Sequence, residues 1–297
     1  MQGKMMFIHG LSPIHSGTGQ SVDVVDLPVA REKTTGWPYV PGSSIKGVLR
    51  DVCEPPKGAD RALFVEAFGP DTSNAADSAG SLLFCDAHLL CLPVRSFYGT
   101  FAWVTCPAIL ERLKRDCESA GVTCSIPALT TVVKEAEVAV SKSNKIATKG
   151  GKVFLEDIDL AVIADADASG IAEPVAKAVF PGDKTAIEWD KTAIEAFIQR
   201  FAVISDDMFA TLSETATEVV ARIKIKDETK TVQEGGLWYE ESIPTEAILW
   251  APLLAASRKS KPDVLFGLLD DVKIVQIGGH ASVGRGLVRV ILASEVC

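Results

Sequence analysis

The stretch from His15 to Arg50, HSGTGQSVDVVDLPVAREKTTGWPYVPGSSIKGVLR, collects residue types suited to acid–base and phosphate chemistry in a short span. His15 carries an imidazole, which titrates near neutral pH and can act as acid, base or phosphate contact; it equally fits a turn cap before Ser16-Gly17. Asp23 and Asp26 add carboxylates, which accept protons or hold hard cations, although a loop Asp more commonly closes a turn. Further along, Pro41-Gly42 turns the chain, and Ser43 or Ser44 is placed to cap a helix whose first turn carries Lys46. The free N–H groups of that helix start, with the lysine beside them, form an anion site suited to phosphate. Arg50, four residues after Lys46, shares its helix face.

Two later stretches carry further chemistry. GGLWYEESIP (235–244) sets Trp238 and Tyr239 beside Glu240 and Glu241, so the aromatics either stack on bases or serve as strand core. In GGHASVGRG (278–286), Gly278, Gly279, Gly284 and Gly286 let backbone approach a ligand closely, and Arg285 adds a charge-assisted donor. That loop lacks GK[ST], which disfavours nucleotide hydrolysis.

The elements that must position these residues are legible from periodicity. Met5 to Leu11 reads as a buried strand, and the long loop 12–40 follows it. Ser43 to Glu54 reads as a helix with Ile45, Val48, Leu49 and Val52 on one face. Ser81 to Val94 is strand-like, Phe97 to Val104 a second strand, and Pro107 to Ala120 a helix opened by proline. Val132 to Val140 and Val153 to Ile163 read as strands, with the lysine-rich loop 141–152 between them. Thr192 to Phe201 is helical. Thr217 to Ile225 and Gly236 to Glu241, joined through KDETKTVQEG, predict a hairpin that stands out from the body. Lys273 to Ile277 and Leu287 to Leu292 form a final strand pair around the glycine loop. No fixed-period repeat is present, which excludes a solenoid. The order of strands and helices suits an α+β, ferredoxin-like layout closed by both ends of the chain.

Composition bounds the remaining possibilities. At 297 residues and 47% hydrophobic, the chain can bury a sizeable core. Its longest apolar run, 81–94, is broken by Asp86, His88 and Pro93, short of the roughly 18 residues a membrane helix needs. The N-terminal residues show no signal-peptide layout, so a soluble cytoplasmic protein without a membrane partner is expected. Seven cysteines without a CxxC pair read as buried free thiols, and four histidines without ligand spacing give zinc no support. A net charge of −9 opposes nucleic-acid binding over the whole surface. Binding follows local patches, however, and basic residues cluster at Lys142, Lys145, Lys149 and Lys152, at Arg258, Lys259 and Lys261, and at Arg222, Lys224, Lys226 and Lys230.

The segments HGLSPIHSGTGQ, VDLPVAREKTTGWPYVPGSSIKGVLR and IGGHASVGRG together resemble the RAMP superfamily of CRISPR proteins, most closely the backbone subunits of type III-B (Cmr) effector complexes. GSLLFCDAHLLCLPVRSFYGTFAWVTCP and GGLWYEESIP extend the resemblance over nearly the whole chain, in order. It implies one RAMP domain, an RRM-like palm with inserted segments, a thumb-like hairpin at 217–245, an active-site loop at 12–40 and a glycine-rich loop at 277–287. It also implies an antiviral endoribonuclease that polymerises along guide crRNA beside other Cmr subunits and cuts complementary single-stranded target RNA at regular intervals. Each cut would be a ribose 2′-hydroxyl attack that leaves a cyclic phosphate. Asp26 would be the residue required for cutting, as base or as ligand of Mg²⁺ or Mn²⁺, with His15 as a second member. Glu240 or Glu241 would contribute across a subunit boundary. Lys46, Arg50, Ser43, Ser44, the loop glycines, Arg285, Trp238 and Tyr239 would contact RNA. A non-catalytic crRNA-binding scaffold and a phosphate-metabolite enzyme using the Ser43 helix start are the alternatives.

Overall fold

The computed structural model describes residues 2–19, 25–70, 78–129, 131–181, 189–256 and 259–297, without the side chains of 164–166 and 189–191. Asp23 and Arg258 therefore lie outside the described residues. The N-terminal apolar run forms the strand Gln2–Gly10, buried from Met5 onward. Continuous burial of that kind requires neighbours on both edges and cover on both faces. Leu287–Ala293 pairs along one edge and Ile248–Ala255 along the other, both antiparallel. Ala87–Arg95 lies beyond Ile248–Ala255, again antiparallel.

In chain order these four strands alternate with helices as strand, Gly42–Cys53, strand, then strand, Pro262–Gly267, strand. That is the sequence of a split βαβ unit, so the α+β expectation holds. The sheet continues through Phe101–Thr105, Phe201–Val203, Glu137–Val140 and Ile158–Asp167 to Lys152–Leu155. Helix Pro107–Ala120 forms as read, with proline in its first turn, a left-handed Gly121 after its end, and Ile109, Leu110, Leu113 and Cys117 buried. Of the thiols read as buried, Cys91, Cys106 and Cys117 are, whereas Cys53, Cys85, Cys124 and Cys297 are only partly so, a correction to that reading.

Local differences from the sequence reading have identifiable causes. The strand expected over 81–94 is two strands, Leu82–Phe84 and Ala87–Arg95. The break puts the Asp86 carboxylate where it accepts the Gly42 N–H at 2.7 Å. The helix after the loop runs from Gly42 to Cys53 with Pro41 at its N-cap, and neither Ser43 nor Ser44 caps it, contrary to expectation. Proline presets the entry dihedral, and Asp86 satisfies an orphan N–H across the fold, so a local serine cap is unnecessary. The strand expected over 153–163 is a hairpin of Lys152–Leu155 and Ile158–Asp167, turned at Glu156, whose φ is 49°.

The loop 12–40 is fastened to strand Ala87–Arg95 and helix Pro107–Ala120 by an ion cluster. Glu32 accepts from Arg112 at 2.7 and 2.8 Å, from Thr35 at 2.8 Å, and shares a 2.6 Å hydrogen bond with His88 Nδ1. Burial alone would raise this carboxyl, but the hydrogen bonds from His88, Arg112 and Thr35 and the arginine's charge outweigh it and lower it from 4.5 to about 2. A carboxyl depressed by folding contributes stability that is full above its unfolded pKa and lost as pH falls through its folded one, here from 4.5 toward about 2. With allowance for solvent screening, the contribution is on the order of 2 kcal/mol. Glu32→Gln is expected to lower stability at pH 7 by about that amount and to flatten the denaturant midpoint against pH below 4.5. A variant that kept the wild-type acid profile would assign acid sensitivity to other carboxylates.

Candidate active site

Backbone pairing, more than side-chain packing, joins the loop 12–40 to the hairpin Glu218–Ile225 and Val232–Ser242. Ile14 and Ile243 exchange two N–H···O bonds of 2.9 Å. Leu27 N donates to Tyr239 O at 3.1 Å and accepts at its own carbonyl from Glu241 N at 3.0 Å, which adds a short parallel segment to the hairpin. Successive strand residues point to opposite faces, so Trp238 and Glu240 are separated from Tyr239 and Glu241.

On one face, Glu240 accepts from Trp238 Nε1 at 2.8 Å and from Arg222 Nε at 3.0 Å, and its Oε2 lies 3.8 Å from His280 Nε2. Burial works to raise this carboxyl, but those two hydrogen bonds and the charges of His280 and Arg222 hold it below the ordinary carboxylate value. On the other face, Glu241 pairs with Arg31 and accepts the Val29 N–H at 3.0 Å. Arg31 also donates to Gly36 O at 2.8 Å and to Ser213 O at 3.1 Å. Asp26 is half-buried, and its Oδ2 accepts the Tyr239 N–H at 2.7 Å.

His15 is buried, and its Nδ1 lies 2.7 Å from Glu241 O. A carbonyl oxygen only accepts, so Nδ1 carries the hydrogen and the neutral ring presents its lone pair at Nε2. Gly17 packs so close to that nitrogen that a Cβ there would lie 2.6 Å from it, so only glycine leaves it room. The glycine loop seats against the same residue. Gly279 N donates to His15 O at 2.9 Å, and a Cβ on Gly278, at φ 88°, would lie 2.3 Å from that oxygen. Only glycine combines that conformation with that approach. The loop thereby brings the His280 ring to 4.9 Å from the His15 ring, centroid to centroid.

The structure thus gathers His15, Glu240, Trp238, Gly278 and Gly279, with Asp26 and Tyr239 on the adjoining ladder. Ser43 and Lys46 are placed elsewhere, lining with Phe68 and Phe84 an open cleft of about 490 Å³. Arg50 donates to Gly69 O at 2.8 Å and lies over the Phe64 ring. Arg285 donates to Glu218 Oε1 at 2.8 Å, at the base of the hairpin. Of the basic clusters, Lys142 pairs with Asp167 at 2.9 Å and Lys152 with Asp159 at 2.7 Å.

Sequence reasoning missed Arg222 and His280 as members of this site. Arg222 stands opposite Trp238 in the hairpin register, one diagonal from Glu240, and a register counted outward from the turn would have placed it. His280 lay within a motif read for its glycines.

The family description RAMP superfamily matches residues 7–289. The chain is 38% identical over 302 residues to the protein named CRISPR system Cmr endoribonuclease Cmr4 of Pyrococcus furiosus, covering 98% of this chain and 96% of that one. It is 24% identical over 299 residues to the CRISPR system CMR subunit Cmr4 of Saccharolobus solfataricus, covering 96% and 94%. Among solved structures, oligomeric Cmr4 from Pyrococcus furiosus superposes with a TM-score of 0.74 at 30% identity, over 99% of this chain and 98% of that one. A chain of the type III-B Cmr-beta complex bound to cognate target RNA shares the fold with a TM-score of 0.74 at 21% identity, over 98% and 97% of the two chains.

Proposed function

This chain belongs to the RAMP superfamily, and from that premise we propose that it is a backbone endoribonuclease subunit of a type III-B CRISPR effector. It lines up with further copies of itself and other Cmr subunits along a guide crRNA in the cytoplasm and cuts complementary single-stranded target RNA at regular intervals. The observation that carries this reading is the juxtaposition of His15, whose Nε2 no side chain at Gly17 crowds, with the Asp26 and Glu240 carboxylates on one backbone ladder. A scaffold subunit that only binds crRNA would have no use for an imidazole fixed in one tautomer and kept clear by glycine. Among the described residues no helix is long and apolar enough to cross a membrane.

The reaction is attack by a ribose 2′-oxygen on its own 3′-phosphorus, giving a 2′,3′-cyclic phosphate and a free 5′-hydroxyl. It needs in-line geometry, removal of the 2′ proton and stabilisation of charge at phosphorus. His15 Nε2 is the base the geometry offers. Asp26 would hold a divalent cation, Mg²⁺ or Mn²⁺. Such a cation keeps several waters and takes substrate phosphate oxygens, so one protein carboxylate suffices, and Asp26, already oriented by the Tyr239 N–H, fits that mode. When bound, the cation supplies charge stabilisation at the phosphate.

Lys46 with Ser43 and Ser44 at the helix start, Arg50 beyond them, and the backbone of Gly278, Gly279, Gly284 and Gly286 with Arg285 serve the RNA backbone. The hairpin acts as the thumb. Its exposed Val219, Ile223, Leu237 and Tyr239, which share one face, support a role in wedging between bases, while Trp238 lies on the other face against Glu240. The test is a labelled complementary RNA offered with Mg²⁺ to the guide-loaded complex. Regularly spaced products ending in cyclic phosphate are expected, and bound but uncut RNA would leave a scaffold subunit.

A further inference from the structure

We infer that His280 is the second acid–base group of the cutting reaction, the donor of a proton to the departing 5′-oxygen. This rests on the nuclease reading above and deepens it. The ring stands 4.9 Å from His15, centroid to centroid, tilted 59° to it. Two imidazoles at one site act as an acid–base couple when their surroundings assign them opposite protonation states.

Here the surroundings differ in kind. His15 donates Nδ1–H to a neutral carbonyl, Glu241 O, which fixes its tautomer and leaves Nε2 as an acceptor. His280 Nε2 faces a carboxylate, Glu240 Oε2, at 3.8 Å. That carboxylate also accepts from Arg222 Nε and Trp238 Nε1, so it faces His280 Nε2 as an acceptor held in place on its other side. The charged and titratable groups around His280 are Glu240 with Arg222 behind it, the imidazole of His15 across the gap, and the Arg285–Glu218 pair at the foot of its loop. Its side chain is 31% exposed, so a substrate can reach it. The backbone takes the left-handed conformation, φ 63°, and anchors the loop through bonds from Val283 N and Arg285 N to its carbonyl.

The step balances within these groups. The 2′-oxygen bonds to phosphorus as its proton passes to His15 Nε2. The bond from phosphorus to the 5′-oxygen breaks with its electron pair on oxygen, and that oxygen takes the proton from His280. The products are the cyclic phosphate and the 5′-hydroxyl, and proton exchange with solvent restores both rings.

The test uses the assembled, guide-loaded complex and two target RNAs, one ordinary and one with sulfur replacing the scissile 5′-oxygen. A thiolate leaves without a proton, so it bypasses a general acid. His280→Asn keeps a residue that tolerates the left-handed backbone. It should cut ordinary RNA at least ~100-fold more slowly than wild type, yet cut the sulfur-substituted RNA within about threefold of it, at unchanged RNA affinity. Equal losses on both substrates, or no loss on ordinary RNA, would overturn the assignment. Wild type inactive on both substrates would instead sink the nuclease reading, and this role with it.

Discussion

Asp26→Ala should leave guide loading, self-assembly and target binding intact while slowing target cutting by at least about 10³-fold, the scale of a lost group acting at the transition state. The separation follows from how the site is built. The ladder that carries residue 26 is made by backbone groups of Leu27, Tyr239 and Glu241, and none of those bonds involves the Asp26 side chain. Removing the carboxylate costs one hydrogen bond to Tyr239 N at a half-buried position, about 1 kcal/mol of stability. Asp26→Asn refines the test, because an amide oxygen still accepts the Tyr239 N–H while the negative charge is gone. Single-turnover cutting by both variants and wild type, alongside target affinity, makes the comparison. An Asn variant that cut at the wild-type rate would rule out both a base and a cation-holding role for this residue.

Glu241→Ala should be the most destabilising single change at this site, by about 3 kcal/mol, because it strips one partner from a buried ion pair. Glu241 is 5% exposed, and its carboxylate serves both Arg31 and the Val29 N–H. Two backbone carbonyls, Gly36 O and Ser213 O, still accept from Arg31, which keeps the loss below that of a wholly orphaned charge. A drop of roughly 6–10 °C in midpoint temperature is expected for a chain of this size. Cutting should fail as well, since the segment 25–31 loses its side-chain anchor. The His15 bond to the Glu241 carbonyl does not depend on the side chain, so a midpoint within about 2 °C of wild type would show that the backbone ladder alone holds the loop.

Much of the framework was legible because it follows from local pattern. Helix Pro107–Ala120 carries its start in a proline and its end in a glycine, and it forms at the predicted bounds. The hairpin and the final strand pair likewise follow from alternation and turn residues. Two kinds of feature were hidden. Asp86 breaks a continuous apolar run to satisfy a helix start 44 residues earlier in the chain, and nothing local announces that partner. The neighbours of Glu240 are hidden for the same reason, since Arg222 and His280 reach it only through hairpin register and loop placement. Periodicity reports which face is buried, and it does not report which polar groups meet there.

The central position of Gln2–Gly10, flanked by strands beginning at residues 248 and 287, has a consequence for synthesis. This strand has no edge partner until segments far later in the chain are made, so the nascent chain must hold an apolar strand without its neighbours while the intervening residues are translated. His15 and His280 are brought together by that same late event. A product that stops before residue 280 therefore lacks the second imidazole of the proposed site.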